Sequence, residues 1–316
     1  MEPHYISEII QHIKKNFCVN EDAEITLETN PGTVSIEKLV KFRKIGINRI
    51  SIGIQSFNED ELKFLTRIHN SQTAIQTVRD AAAIGFENIS VDLIFNLPEQ
   101  TNKKWQYNLD QAIKLPIKHI SAYSLILEKG TILNKMVLDG KVKMQNEDYD
   151  ADLYELTIDF LTQQGFEQYE VSNFSKKGFE CVHNNAYWRY KDYLSFGTSA
   201  HSFVNLPDGK AGGKRWWNYS SLNFYNTAIE LKGNAVIGEE ILSEKEKLNE
   251  YVMLALRSKG LDLLELNNFF GNEWLMKNKN YLKQLGQEKF LIEKGKTIKF
   301  TPKGYTLCDE ILSRFK

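Results

Sequence analysis

The sequence predicts an α/β protein built on a parallel sheet of barrel or half-barrel type, on three observations. Short strand-like segments alternate with helical ones through the first half of the chain, as right-handed βαβ units require. Within each strand-like segment apolar and polar residues alternate, whereas a sheet covered by helices on both faces reads as nearly continuous apolar runs. The polar residues Glu28, Gln55 and Asp92 fall towards the C-terminal ends of their segments, where barrel proteins assemble their sites.

Four strands are expected, at Glu24–Thr29, Arg49–Ser56, Ile89–Phe95 and His119–Leu125. In the first, Ile25 and Leu27 oppose Thr26 and Glu28. In the second, Ile50, Ile52 and Ile54 share one face and Ser51, Gly53 and Gln55 the other. In the third, Ile89, Val91 and Leu93 oppose Ser90 and Asp92. The apolar face suits packing helices and the polar face suits an interior that holds a polar ligand. Between the strands, Ser35 caps a helix running to Gly46, and Asn58 with Glu61 three residues on resembles a capping box. Ser71 opens a helix that stops at Gly85, and Thr101 opens one that ends before Pro116. A helix follows from Asn146 to Gly165, then a strand at Gln168–Asn173. The aromatic-rich stretch CVHNNAYWRYKDYLSFGTSAHSF comes next, then a Gly- and Lys-rich loop over Pro207–Lys214 and a strand at Arg215–Tyr219. Helical periodicity returns at Glu244–Ser258, Leu261–Phe270 and Glu273–Leu285. A hairpin over Phe290–Thr301, turning at Lys294–Gly295, and a final helix complete a winged-helix-like segment.

Composition bounds the function. The 316 residues carry 40 Lys and Arg against 41 Asp and Glu, so there is no general attraction to nucleic acid or to an anionic membrane. Lysines are frequent over Lys277–Lys316 but interleave with Glu and Asp, which reads as a solvated face, and no nucleic-acid partner is expected. No apolar run approaches the roughly 18 residues of a membrane span, and the amphipathic start has no signal-peptide pattern, so the cytoplasm is the expected compartment. The three cysteines, Cys18, Cys181 and Cys308, are far apart in sequence. They match no zinc or Cys-x-x-Cys spacing and are expected to be free thiols.

Four segments stand out together: ETNPGT at Glu28–Thr33, GINRISIGIQSF at Gly46–Phe57, DLIFNLPEQT at Asp92–Thr101 and HNNAYW at His183–Trp188. Their order and wording resemble the radical S-adenosylmethionine (SAM) group that contains oxygen-independent coproporphyrinogen III oxidase and the haem chaperone HemW, over essentially the whole chain. The resemblance implies an incomplete parallel (β/α) barrel over residues 1–175, an α+β extension over 176–236 and a small winged-helix-like C-terminal domain over 237–316. It places Glu28, Gln55, Arg67 and Asp92, and less directly Ser124, at SAM-contacting positions. Carboxylates suit the hydroxyls and amine of that ligand, and an Arg suits its carboxylate. The HNxxYW segment looks like the chaperone rather than the oxidase. It associates His183, Asn184, Tyr187 and Trp188 with haem, an imidazole being a common axial ligand of haem iron and aromatic rings packing on a porphyrin face. His201 also matches a family histidine.

The implied function is haem binding and transfer to an acceptor protein, with a residual SAM site. The alternative is an oxidase-like radical enzyme of porphyrin biosynthesis when a further N-terminal segment is present. Peripheral contact with membrane-bound haem proteins is compatible with either. The family's barrel opens with two strand–helix units that have no counterpart here, about sixty residues at roughly 30 per unit. The first carries the Cys-x-x-x-Cys-x-x-Cys loop of a 4Fe–4S cluster, and scattered Cys18, Cys181 and Cys308 do not replace it. A late gene start is preferred over a natural truncation that leaves a haem-binding or structural remnant, and no radical activity is expected from this chain alone. Three smaller departures are Thr66, Asn96 and Ser195, each where the family has Gly. Asn is the next best residue for a left-handed turn.

Overall fold

The computed structural model describes residues 1–206 and 212–316, and the Gly- and Lys-rich loop expected over Pro207–Lys214 lies largely outside the described residues. The chain divides into two compact units, Met1–Glu180 and Cys181–Lys316.

In the first unit the elements run α1 (Pro3–Asn16), β1 (Thr26–Thr29), α2 (Ile36–Lys44), β2 (Arg49–Gln55), α3 (Glu59–Phe64), α4 (Ser71–Ala83), β3 (Asn88–Phe95), α5 (Asn102–Ile113), β4 (His119–Ser124), α6 (Ile132–Leu138), α7 (Glu147–Gln163), β5 (Glu167–Gln168) and β6 (Asn173–Ser175). They build one six-stranded sheet in the order β1-β2-β3-β4-β6-β5. The first four strands are parallel and in sequence order, and β6 and β5 extend them antiparallel. One sheet face carries Ile50, Ile52, Ile54, Ile89, Val91 and Leu93, each fully buried, against helix residues such as Leu39, Phe42, Val78, Trp105 and Leu109. Each such side chain stabilises the fold by about 1.5–3 kcal/mol relative to exposure. The opposite face is the polar one read from the alternation.

The helix starts follow from local hydrogen bonds. The side chains of Ser35, Thr101 and Asn146 accept from the amides of Lys38, Lys104 and Tyr149. The helix expected from Ser71 is capped one residue earlier, by Asn70. The capping box expected at Asn58 and Glu61 does not form. Glu61 is instead drawn into a buried network in which it accepts from Ser56 Oγ at 2.5 Å, Asn108 Nδ2 at 2.9 Å and Gln100 Nε2 at 3.1 Å. The continuous strand expected at Gln168–Asn173 is a hairpin. Glu170 Oε2 accepts from the Ser172 amide at 3.2 Å and reverses the chain between β5 and β6.

In the second unit the elements are α8 (Val182–Trp188), β7 (His201–Asn205), β8 (Gly213–Asn218), α9 (Leu222–Lys232), β9 (Val236–Ile241), α10 (Glu244–Leu256), β10 (Leu261–Asp262), α11 (Leu263–Phe270), α12 (Glu273–Gln287), β11 (Leu291–Lys294), β12 (Thr297–Phe300), α13 (Pro302–Thr306) and α14 (Cys308–Ser313). An antiparallel sheet β7-β8-β9 places the expected strand at its centre, shifted to Gly213–Asn218. A second sheet, β10-β12-β11, with α10, α11 and α12 before its hairpin, has the helix and wing order expected of the C-terminal segment. The wing turns at Gly295, whose φ of 63° few other residues tolerate. Two boundaries differ from expectation. The helical pattern from Leu261 begins with a two-residue strand, because Asp262 pairs with β12 and caps α11. The final helix is broken into α13 and α14 at Leu307.

Candidate functional site

The polar side of the first unit's sheet gathers the residues singled out there. Glu28 lies on β1, exposed, in register with Ser51 of β2. Asp92 lies within β3 rather than at its end. Ser51 Oγ donates to it at 3.2 Å and Ser121 also bonds to it. Burial pushes its carboxyl above the usual range, and the nearby Glu28 charge adds to that.

Gln55 ends β2 with a φ of 71°, beside an irregularity in the β2–β3 register that begins after Ile52. Gly53 makes this possible. A Cβ there would meet Gln55 Nε2 at 2.9 Å and Asn30 Oδ1 at 3.1 Å, so only glycine lets both amide side chains lie over the strand. Asn30 Oδ1 in turn accepts from Arg67 Nη1 at 3.1 Å. The Arg67 loop is pinned by buried His69, whose Nε2 donates to the Ile54 carbonyl at 3.1 Å. Burial lowers the His69 pKa, and the Arg67 charge lowers it further. Asn30 and His69 are therefore positioning residues that the sequence reading did not single out, although the first stands within the ETNPGT segment and the second within LTRIHN.

Ser124, at the end of β4, accepts from Asn96 Nδ2 at 3.3 Å and donates to Asp150 Oδ1 at 2.7 Å, and burial raises the Asp150 carboxyl. Asn96 has a φ of 59°, as expected of a residue standing in for glycine, and its Oδ1 is buried without a partner. An open acceptor, a glycine cradle, a guanidinium and two carboxylates suit a ligand carrying an amine, hydroxyls and a carboxylate. A recess of about 610 Å³ around Phe86, Pro116 and Phe179 lies at the N-terminal ends of β3 and β4 and contains none of these residues.

An iron–sulfur cluster fits these residues poorly. Cys18 is exposed, Cys181 and Cys308 are buried, and no three His, Cys, Asp or Glu residues converge on a metal position among the described residues.

In the second unit α8 carries His183, Asn184, Tyr187 and Trp188 within two turns. His183 and Tyr187, four residues apart, share a face with ring centroids 6.1 Å apart, and both are exposed. Tyr187 stacks on Tyr193 at 4.4 Å and donates to its hydroxyl at 2.8 Å. Tyr187 and His201 both line a cavity of about 300 Å³, together with Tyr193, Phe203 and Arg215. His201 also stacks on Trp217, its cross-strand partner, at 5.8 Å. His183, Asn184 and Trp188 do not line the cavity; His183 reaches its rim through Tyr187.

Comparison with known proteins identifies the family and the fold. Residues 1–112 match the model of the radical SAM superfamily. The chain is 31% identical to the haem chaperone HemW of Bacillus subtilis strain 168, over 93% of this chain and 76% of that protein. It is 33% identical to the HemW of Haemophilus influenzae, over 98% of this chain and 78% of that protein. Among solved structures, the radical SAM coproporphyrinogen III oxidase of Escherichia coli superposes on all of this chain and 74% of its own with a TM-score of 0.80, at 22% identity, which is a likeness of fold.

Proposed function

Because the chain belongs to the HemW family of radical SAM proteins, we propose that it binds haem on its Cys181–Lys316 unit and passes it to an acceptor protein in the cytoplasm. The observation that carries this reading is the face of α8, where an exposed imidazole, His183, stands one turn from a stacked Tyr187–Tyr193 pair at the rim of an aromatic cavity. An imidazole free to approach iron beside flat π surfaces is the chemistry a haem site needs. Exposure of the ligand residue suits a carrier, since a cargo held at the surface can be handed on.

In the Met1–Glu180 unit, Glu28, Gln55, Arg67, Asp92 and Ser124 are proposed to bind SAM. Arg67, aimed by Asn30, takes the ligand carboxylate. Asp92 and Glu28 take its hydroxyl or amine donors, and Gln55 and Ser124 fix its orientation. In the family a 4Fe–4S cluster supplies the electron that cleaves SAM. The cysteines of this chain do not form its ligand set, so no step is assigned to it. Likeness to the oxidase concerns the fold and adds no substrate. Among the described residues no helix is long and apolar enough to cross a membrane.

The test is a haemin titration of the purified chain, followed at its Soret band, beside His183→Ala. A saturable shift, weakened at least tenfold in the variant, is expected. Equal titrations of both proteins would remove His183 from the site, and no saturable shift in either would remove the haem reading.

A further inference from the structure

The cavity beside α8 has an ionic end that the haem reading leaves unused. Arg215 lines it from β8, and Lys191 lines it from the segment after α8. Lys191 forms no ion pair among the described residues. Arg215 is held by two carboxylates. Its Nη1 donates to Glu240 Oε1 at 2.9 Å, across the β8–β9 pair, and its Nη2 donates to Glu250 Oε2 at 2.6 Å. The two partners differ. Glu240 is a strand neighbour outside the cavity, whereas Glu250 lines the cavity itself and also accepts from the Tyr190 hydroxyl at 2.9 Å.

Arg215 is therefore matched, inside the cavity, by a carboxylate of the chain. A guanidinium fork binds carboxylates bidentately, and an exchange of one carboxylate for another costs little charge desolvation. The volume limits what can enter. About 300 Å³ lies at the lower bound for small-molecule sites, so the cavity admits one edge of a macrocycle and leaves the rest outside. The cavity walls nearest that edge are aromatic, from Tyr187, Tyr193 and Phe203.

We propose that the cavity receives the carboxylate-bearing edge of a flat aromatic ligand, with Lys191 and Arg215 pairing with its carboxylates and Glu250 holding Arg215 until the ligand takes its place. Resting on the haem reading above, this assigns the propionate edge of haem to the cavity and leaves the iron for an imidazole at its rim. Glu250 then acts as an internal competitor that weakens retention, which a protein that must release its cargo needs.

The experiment titrates wild type, Lys191→Gln, Arg215→Gln and Glu250→Gln with haemin and with iron protoporphyrin IX dimethyl ester, whose carboxylates are masked, each followed at the Soret band. Wild type is expected to bind haemin about tenfold more tightly than the ester, the value of one charge-assisted pair. Lys191→Gln and Arg215→Gln reduce that preference severalfold while binding the ester as wild type does, and retained ester binding certifies their fold. Glu250→Gln, which keeps the Tyr190 contact possible, strengthens haemin binding severalfold and leaves the ester unchanged. Equal affinity of wild type for haemin and ester, or an undiminished preference in both cation variants, overturns the assignment while the haem reading stands. Saturable binding of neither porphyrin overturns both.

Discussion

At the scale of single residues, Thr66 and Glu170 both depart from what local physics prefers. Thr66 has a φ of 54° although it is β-branched, and it stands where the resembling family has glycine. A left-handed β-branched residue costs on the order of 1–3 kcal/mol, partly offset by the unfolded-state entropy that glycine adds. Thr66→Gly is expected to raise unfolding stability by about 1 kcal/mol, read as a higher urea midpoint at unchanged slope; a lower midpoint would mean the loop relieves no strain. Glu170 is the second. Its side chain is almost wholly buried, its Oε1 has no partner, and burial pushes its carboxyl up from 4.5 to about 7. The folded chain keeps the proton up to about pH 7 while the unfolded chain releases it near 4.5. The stability this group contributes is thus present below 4.5 and lost as pH rises to 7. Glu170→Gln should remove that loss, so its stability advantage over wild type grows from pH 4.5 to 7 to about 3 kcal/mol and is flat above. Taking the difference between the two proteins cancels His119, whose burial lowers its pKa to about 3 and which acts in the opposite direction. A pH-independent difference would place the Glu170 pKa near its ordinary value. At the proposed SAM site, Glu28 and Gln55 stand near strand ends as the sequence suggested, whereas Asp92 lies within β3 and Arg67 on the loop after α3. Asn30, Ser51, Ser121 and Asp150 were not legible, because their part arises from cross-strand and loop contacts that linear spacing does not encode.

At the scale of elements, strand alternation and Ser, Thr or Asn before a helix were legible in most places where the determinant is local. The four parallel strands and the caps at Ser35, Thr101 and Asn146 are of this kind. Readings failed where a distant partner competes. The Asn58–Glu61 pair has the pattern of a capping box, yet Asn108, fifty residues on, captures both. Asn108 is fully buried and accepts from Phe57 N at 2.7 Å, Ser56 Oγ at 3.1 Å and Asn58 Nδ2 at 3.0 Å. It therefore ties α5 to the turn that follows Gln55. Asn108→Ala strands the Phe57 amide in a dry interior and takes one donor from Glu61 Oε2, which keeps Ser56, and a loss of about 2 kcal/mol is expected from the unmade bonds. Urea unfolding measures this, and a loss below about 1 kcal/mol would show that water replaces the network. The hairpin at β5 and β6 was missed for a different reason: its determinant is local, but a carboxylate reversing the chain at Glu170–Ser172 leaves the β-like composition unchanged.

At the scale of the whole molecule, the two sets of candidate ligand residues belong to different compact units. Glu28, Gln55, Arg67, Asp92 and Ser124 lie within Met1–Glu180, and His183, Tyr187 and His201 within Cys181–Lys316. Strand–helix alternation made the first unit legible and the helix and wing order made the C-terminal part of the second legible. The β7-β8-β9 sheet between them was read only as one strand, because β7 is embedded in an aromatic stretch and β9 has mostly exposed positions with no clean alternation. Separate residue sets make a concrete prediction about ligand coupling. Asp92→Ala removes a carboxylate that Ser51 and Ser121 hold in place, so SAM affinity, measured by calorimetry, should fall at least tenfold, as loss of a charge-assisted hydrogen bond implies. The same variant should titrate with haemin as wild type does. His183→Ala should do the reverse, losing haemin affinity and keeping SAM affinity. If Asp92→Ala weakened haemin as much as SAM, the substitution would be acting beyond its own site, and the coupling between the ligands, which linkage makes reciprocal, is read only by titrating one ligand in the presence of the other. Titrating wild type with haemin in the presence and absence of saturating SAM therefore closes the cycle: unchanged haemin affinity fits separate sites, and a matching shift would mean that SAM, bound in one unit, sets how firmly the other holds its haem.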